Sequence, residues 1–511
     1  MTLITEHSLV AVVGAGAMGA GIAQVAAQAG HRVLLHDMRP EAASRAIADI
    51  ALQLERQVAK GRLSAEARIQ ALSRLQAATT LEQVADADLV IEAIAEDLAA
   101  KQGLFSELER ICKADAVLAS NTSSISISAL ATHLRHPERV AGLHFFNPAP
   151  VMALVEVVSG LATAPCVAEA LHAMAARWGK KPVHARSTPG FIVNRVARPF
   201  YAESLRLLQE GAASRVTLDA LLRQAGGFPM GPFELMDFIG HDVNYAVTCS
   251  VFSAFYGDPR FQPSVLQKEL VDAGRLGRKS GQGFYVYGDA TEVPAPGWAQ
   301  AGEPQVECVL EGHLGPAQPL VARLRQHGVQ IEERPGAGVL RVGEAALVLA
   351  DGRLAWERAQ AEGLASLATF DLALDYSKAS ALGISFGPMS EQGRMQIVGV
   401  LQQAGFDVAV LADTPGLAVL RTIAMLTNEA ADTVLQGVAS VADIDTAMRA
   451  GVNYPQGPLA WADALGLPFL LRVLENLQKA YGESRYRPSL LLRRLSAMGE
   501  GFHTVPSIPR E

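Results

Sequence analysis

Residues 8–37 read SLVAVVGAGAMGAGIAQVAAQAGHRVLLHD, and this stretch decides the fold of the N-terminal part of the chain. Ser8 to Val13 is a short apolar, β-branched run of the kind a buried parallel strand uses. It runs straight into Gly14-Ala-Gly16-Ala-Met-Gly19. The small-residue stretch Ala20 to Ala29 then reads as a helix with Gly30 as its stop. Arg32 to His36 is a second strand, ending in Asp37. The glycines have distinct tasks: Gly14 makes the tight turn, Gly16 lets a pyrophosphate approach the backbone, and Gly19 lets the helix pack on the strand. The helix N-terminus faces the phosphates. A lone GxGxxG is weak, but strand, glycines, helix and a terminal acid in this order specify dinucleotide binding. Asp37 suits two free ribose hydroxyls and repels a 2′-phosphate, which favours NAD. Arg39 nearby keeps NADP open.

The wound sheet continues beyond this unit. Residues 41–76 read as a long helical excursion. Strands are expected at Asp88–Ile94, Ala116–Ser120 and Arg139–Leu143, and polar groups follow each of them: Glu96 and Lys101, then Asn121 and Ser123, then His144. Ligands of an open α/β sheet bind past the carboxyl ends of its strands. Each residue also has a plainer reading. Glu96 and Lys101 suit a charge pair on a solvated helix face, and Asn121 and Ser123 suit helix caps.

His144 lies in Gly142-Leu-His-Phe-Phe-Asn147-Pro-Ala-Pro-Val-Met-Ala-Leu-Val-Glu156. Alone, such a histidine reads as a satisfied core or turn residue. At a strand end beside a dinucleotide fingerprint, with a lone carboxylate returning on the next apolar run, it becomes a candidate general base.

The gross properties fit that setting. With 511 residues the chain exceeds one core and implies several domains. Half the residues are hydrophobic and 19% are charged, which excludes disorder over most of the length. The net charge of −8 and pI of 5.9 argue against nucleic acid as a partner. Four scattered cysteines show no metal spacing, so no metal site is expected, and they read as reduced thiols of a cytoplasmic protein. The apolar run 9–29 lacks the basic flank of a signal peptide, and no segment reads as a membrane span.

Residues 1–288 resemble the NAD-dependent L-3-hydroxyacyl-CoA dehydrogenases. The resemblance rests on GAGAMGAGIAQVAAQAGHRVLLHD, IEAIAEDLAAK, SNTSSISI, GLHFFNPAPVMALVEVV, TPGFIVNR and GGFPMGPFELMDFIG. It implies oxidation of a (3S)-3-hydroxyacyl-CoA to the 3-oxoacyl-CoA with NAD as hydride acceptor. By the same resemblance His144 takes the hydroxyl proton, Glu156 holds the imidazole, Asn194 lies near the thioester carbonyl and Ser123 bonds the reacting oxygen. Gly14, Gly16, Gly19, Asp37, Glu96 and Lys101 match cofactor contacts, and Asn121 falls beside the nicotinamide. Lys60 falls, in a looser alignment, where the family has a lysine for the CoA end.

The second half of the chain repeats part of the first. Thr188-Pro-Gly-Phe-Ile-Val-Asn194-Arg195 recurs as Thr414-Pro-Gly-Leu-Ala-Val-Leu420-Arg421. Each is followed by an amphipathic helix with an acid in register, Glu203 and Glu429. Gly227 to Asp237 recurs as Val452 to Asp463, and Gly281-Gln-Gly-Phe284 is echoed by Glu500-Gly-Phe502. Two copies of one helical domain follow. Leu420 in the place of Asn194 implies that only the first copy completes an active site. In single-copy relatives this domain forms the dimer interface, so an internal pseudo-dimer is expected, with a homodimer as the other possibility.

The expected architecture is therefore an α/β Rossmann-type domain (1–186), an all-α domain (187–288), a linker with a small degenerate α/β module (289–409), and a second all-α copy (410–511). Within 289–409, Glu292 to Pro304 reads as linker. Strands are expected at Val339–Val342, Ala346–Ala350, Ala368–Leu374 and Asp407–Leu411, with a helix at Glu391–Gln403. Asp371, Asp375, Tyr376 and Lys378 read as a solvated strand end.

This layout resembles the long bacterial enzymes of phenylacetate catabolism, whose substrate is 3-hydroxyadipyl-CoA; short-chain 3-hydroxybutyryl-CoA is the alternative. An adipyl chain needs a cation or amide donors at its far end, with Arg195 and Arg198 as candidates. A non-catalytic NADH-binding structural or sensor protein is the alternative of another class. No hydratase-like segment precedes residue 1, so a fused multifunctional enzyme is not expected.

Overall fold

The computed structural model describes residues 4–288, 294–303 and 307–504. The chain divides into two compact units. One holds the residues up to Arg195 together with Gly437–Val452; the other holds Val196–Gln436 and the residues from Asn453 on.

The first unit is a doubly wound sheet. Its strands are β1 (Val10–Val13), β2 (Val33–His36), β3 (Leu75–Ala78), β4 (Leu89–Glu92), β5 (Val117–Ser120), β6 (Val140–Phe145), β7 (Leu154–Ser159) and β8 (Lys181–Arg186). Their order is β3-β2-β1-β4-β5-β6-β7-β8, and only β6–β7 is antiparallel. Strands β1, β4 and β5 are buried throughout, as their unbroken apolar runs require with helices on both faces. The helix Ala17–Gln28 follows β1 directly. The excursion read as one long helix is two, Ala42–Ala59 and Ala65–Ser73, followed by the strand β3. Gly61 at φ 66° stops the first, and Ser64 restarts the second by accepting the Ala67 N–H.

The second unit holds a seven-stranded sheet: β9 (Cys308–Glu311), β10 (Ile331–Arg334), β11 (Val339–Val342), β12 (Ala345–Leu349), β13 (Leu367–Phe370), β14 (Ala381–Phe386) and β15 (Asp407–Val410). The order is β10-β9-β11-β12-β13-β14-β15. Its closing part repeats that of the first sheet. β13–β14 is antiparallel and β14–β15 parallel, as β6–β7 is antiparallel and β7–β8 parallel. The module is larger than its sequence suggests, since β9, β10 and β14 were not legible.

Two further expectations change here. Asp371 and Tyr376 are not part of a solvated strand end: both are buried, because the chain after β13 turns inward under the helix Val419–Leu435. Asp375 and Lys378 do pair at the surface, 2.8 Å apart. The stretch read as a linker from Glu292 to Pro304 lies partly outside the described residues. Its later part is tied down: the Ala299 N–H donates to the Val408 carbonyl, and that of Glu303 to the Met395 carbonyl.

Two sets of five helices occur in the same order. One comprises Arg198–Gln209, Arg215–Gln224, Pro232–Ile239, His241–Ala254 and Val265–Asp272; the other comprises Val419–Leu435, Val441–Val452, Pro458–Leu465, Leu467–Tyr481 and Leu490–Met498. Each set sends its second helix to a sheet that follows or precedes the other set. In the second unit, Arg215–Gln224 packs on β14; in the first, Val441–Val452 packs on β7 and β8. The compact units thus cut across the four segments read from the sequence. Within the second unit the first helices of both sets lie against each other. There Arg421 reaches Glu203 and Glu210, both at 2.8 Å, while Arg260 binds Glu429 at 3.1 Å. Removing one partner of such a buried pair costs about 3–5 kcal/mol, because the other charge stays behind without compensation. The repeated Gly-Phe motifs share one role. Asp237 accepts the Phe284 and Tyr285 amides, and Asp463 accepts those of Phe502 and His503.

Candidate active site

The glycine loop is shaped by what a side chain would strike. Gly14 has φ 105°, and a Cβ there would lie 2.4 Å from the Ala93 carbonyl oxygen. A Cβ on Gly19 would lie 1.7 Å from the Gly14 oxygen, so the helix can approach β1 only without one. Gly16 differs: nothing lies within 4 Å of its missing Cβ. It is the N-cap of Ala17–Gln28 and no side chain caps the helix, so amides of the first turn remain for an anion. These residues fit a dinucleotide pyrophosphate.

Asp37 accepts from the Ala15 N–H at 2.8 Å and from Arg39 through its backbone N–H, Nε and Nη2. The Arg39 hydrogen bonds hold its carboxyl well below the usual range, so it is ionised. Its charge at the end of β2 fits the ribose hydroxyls of NAD.

Lys101 is not on a solvated face. It is 1% exposed and its Nζ binds Glu92 and, at 3.3 Å, Glu96. Glu92 also accepts from Ser120 Oγ at 2.6 Å. The one sign of this clamp in the sequence is the acid that closes the apolar strand Leu89-Val-Ile-Glu92. Glu96 gathers the loop after β5, accepting from Thr122 Oγ1 at 2.6 Å, the Ser123 N–H at 3.1 Å and Ser124 Oγ at 3.0 Å. Burial pushes its carboxyl up, but Thr122, Lys101 and Ser124 outweigh this and hold it low. Asn121 and Ser123 do not cap a helix; Ser126 does, through the Ala129 N–H. Asn121 Oδ1 instead accepts the Phe145 N–H at 2.8 Å, tying the loop to the strand that bears His144.

His144 stands on β6 opposite Glu156 on β7. Its Nδ1 is 2.6 Å from Glu156 Oε2, and Glu156 is fully buried. The other oxygen, Oε1, accepts the Ile192 and Val193 N–H groups at 3.1 and 3.0 Å. Asn194 is the next residue, and its Nδ2 lies 3.5 Å from the Ser123 carbonyl oxygen. One carboxylate therefore sets both the imidazole and the backbone that presents the asparagine. With Glu156 accepting from Nδ1–H, Nε2 is left as the basic nitrogen. Phe146 and Phe191 flank the ring at 4.5 and 5.9 Å between centroids.

His144, Glu156, Asn194, Ser123 and Asn121 thus form one connected group. Lys60 does not join it; it is exposed just past the helix Ala42–Ala59. Arg195 is buried in the first unit. Arg198 is buried in the second, beside Thr248 and Tyr201. Among the described residues no cluster of three or more His, Cys, Asp or Glu side chains could hold a metal ion, and no helix is long and apolar enough to cross a membrane.

Three family models and several known proteins match the chain. The family model for the 3-hydroxyacyl-CoA dehydrogenase NAD-binding domain covers residues 9–188. That for the C-terminal domain of the same family covers 190–287 and again 416–501. A third, the 3-hydroxybutyryl-CoA dehydrogenase reduced Rossmann-fold domain, covers 347–415. The 3-hydroxyadipyl-CoA dehydrogenase of Escherichia coli K12 is 48% identical over 97% of this chain and 98% of its own. A crystal structure of 3-hydroxybutyryl-CoA dehydrogenase from Escherichia coli K12 superposes with a TM-score of 0.88 at 46% identity, covering 96% of this chain and 98% of that one. A probable 3-hydroxybutyryl-CoA dehydrogenase of Bacillus subtilis is 43% identical over 56% of this chain and 99% of its own.

Proposed function

The chain belongs to the 3-hydroxyacyl-CoA dehydrogenase family, an NAD-dependent oxidoreductase family, and from that premise we propose which of its residues act and on which acyl chain. NAD supplies the hydride acceptor. His144 takes the proton of the substrate 3-hydroxyl on Nε2 as hydride leaves C3. Glu156 keeps the ring in the tautomer that can accept and stabilises the imidazolium that forms. Asn194 and Ser123 hold the substrate oxygens. Gly14, Gly16, Gly19 and Asp37 receive the dinucleotide, and Glu96, with Lys101 behind it, shapes the loop carrying Asn121 beside the nicotinamide. Lys60 supplies an exposed cation for the CoA end.

The observation that carries this reading is the divided use of Glu156, one oxygen on His144 and one on the amides preceding Asn194. A cofactor-binding sensor has no use for a buried carboxylate spent in this way. Replacing His144 by Ala should lower kcat by about 10²–10⁴-fold while NADH still binds; turnover near that of the parent enzyme would remove His144 from the mechanism.

The substrate we propose is 3-hydroxyadipyl-CoA. What supports it is the near-complete, 48% identical match to a relative of that name. The name of the similar solved structure favours 3-hydroxybutyryl-CoA instead. The ratio of kcat/KM for the two substrates decides between them: a preference for the adipyl chain is expected, and a preference for butyryl would reverse the assignment. A cytoplasmic location and a single active site per chain belong to the same reading, as does the second helical set standing in for a partner subunit. Support for the last comes from the Arg421–Glu203 and Arg260–Glu429 pairs between the two sets.

A further inference from the structure

The second unit contains a cavity of about 250 Å³ between the helices Arg198–Gln209 and His241–Ala254 and the segment 260–267. Four arginines line it, Arg198, Arg206, Arg260 and Arg485, and among the described residues no carboxylate does. Three of them spend their charge on acids behind the wall. Arg206 pairs with Glu203, Arg260 with Glu429 and Asp432, and Arg485 with Glu483.

Among the described residues Arg198 has no such partner. It is 5% exposed, its Nη1 donates to Thr248 Oγ1 at 3.0 Å, and its guanidinium stacks 4.9 Å from the centre of the Tyr201 ring. Its Nε is buried without a hydrogen bond. Two other residues of the same lining each carry a buried polar atom without a hydrogen bond, Arg260 Nε and Ser264 Oγ. A charge taken out of water without a counter-charge is costly, and unfilled polar atoms add to that cost. An oxyanion in the cavity supplies the missing counter-charge, and a guanidinium fork matches the planar oxygens of a carboxylate or the face of a phosphate.

We propose that this cavity is an oxyanion-binding site centred on Arg198, of a size for a carboxylate or phosphate group and a few attached atoms. The ligand is a free small anion, a dicarboxylate or a phosphate. The site stands on its own geometry and does not depend on the substrate assignment above.

The test uses the full-length enzyme and the variant R198M, which keeps the apolar stem and removes the charge. Adipate and inorganic phosphate are titrated while thermal unfolding is followed. The parent protein is expected to gain stability with at least one of them, with an apparent Kd raised tenfold or more in R198M. Without added anion, R198M should melt no lower than the parent, since it loses an uncompensated charge; a merely structural arginine would melt lower when replaced. Greater stabilisation by adipate assigns the site to a carboxylate, and greater stabilisation by phosphate assigns it to a phosphate group. If R198M does not fold, S264A serves: it should weaken anion binding at least threefold while leaving the melting temperature in place. Anion binding that is absent from the parent, or the same in parent and variants, overturns the proposal.

Discussion

Asp371 in the second sheet stands at the strand position that His144 holds in the first. On β6 and β7, His144 faces Glu156, and Glu156 faces Val183 on β8. On β13 and β14, the Asp371 N–H donates to the Gly383 carbonyl, and Gly383 faces Ala409 on β15. Val183 precedes Thr188 by the same number of residues as Ala409 precedes Thr414, which fixes the correspondence. Histidine has thus become aspartate, Glu156 has become Gly383, and Asn194 has become Leu420. What survives is the structural half of the glutamate's work. Asp371 accepts the Ala418, Val419 and Leu420 amides, as Glu156 accepts those of Ile192 and Val193. The repeat holds its helix entry with a carboxylate at the histidine position instead of the glutamate position, and lacks counterparts of His144 and Asn194.

This gives opposite outcomes for two matched substitutions. Asn194→Leu should cost about 10²-fold or more in kcat, as loss of an oriented donor does. Leu420→Asn restores the missing amide and should yield no second activity, because neither a histidine nor a GxGxxG loop accompanies it. It should also lower the melting temperature, since Leu420 is fully buried. NADH titration should count one site per chain in the parent and in Leu420→Asn; two sites in either would contradict the assignment.

Asp371 also has a pH signature. Burial pushes its carboxyl up to about 6, against the pull of the Leu420, Val419, Leu372 and Ala418 amides. Its unfolded value is near 3.8. Because the folded value is the raised one, the folded state holds the proton more tightly between the two. The contribution to stability is therefore full below about pH 4 and declines as pH rises through 6, by at most about 3 kcal/mol. The measurement is the urea midpoint of the parent minus that of Asp371→Asn at each pH, which cancels the other groups. The difference should fall between pH 4 and 6 and level off above; a rise over that range would mean the amides win.

The sequence made the first unit legible because its information is local. Glycines at fixed spacing, a β-branched run before them and an acid after them specify one loop whatever surrounds it. His144 and Glu156 were readable because an antiparallel pair through a short turn brings back the facing residue at a small sequence distance. The burial of Lys101 is not legible, because its partner, Glu92, looks like the end of an apolar strand. Asp371 was misread for a different reason. Its amide partners lie at residues 418–420, and a carboxylate's burial is set by such distant contacts. β14 escaped because Ala381-Leu-Gly-Ile-Ser-Phe386 has neither clean alternation nor an unbroken apolar run.

Glu156 can be dissected, since its two oxygens have different tasks. Glu156→Gln keeps an oxygen for the Ile192 and Val193 amides but turns an NH₂ toward His144 Nδ1. The imidazole must then accept at Nδ1 and carry its proton on Nε2, where it cannot act as a base. A fall in kcat of about 10²–10⁴-fold with little change in melting temperature is expected. Glu156→Ala should lose activity and stability together, because two buried amides go unpaired at about 1–3 kcal/mol each. If Glu156→Gln instead altered KM alone, the residue would be a binding group and not the one that orients the base.

Gly16 and Gly19 lie in one turn and should fail in different ways. Gly16 has φ −70° and ψ −176°, which any residue adopts, and open space where its Cβ would stand. Gly16→Val should therefore fold, with circular dichroism and melting temperature close to the parent's. It should lose NADH affinity by tenfold or more, because the isopropyl group occupies the approach to the helix amides. Gly19→Ala places a methyl 1.7 Å from the Gly14 carbonyl oxygen, a backbone atom that cannot turn aside. The helix must then lift off β1, so lower soluble yield or a large drop in melting temperature should precede any question of binding. Fluorescence titration with NADH beside thermal unfolding separates the two, and a Gly16→Val protein that binds NADH normally would move the pyrophosphate away from this loop.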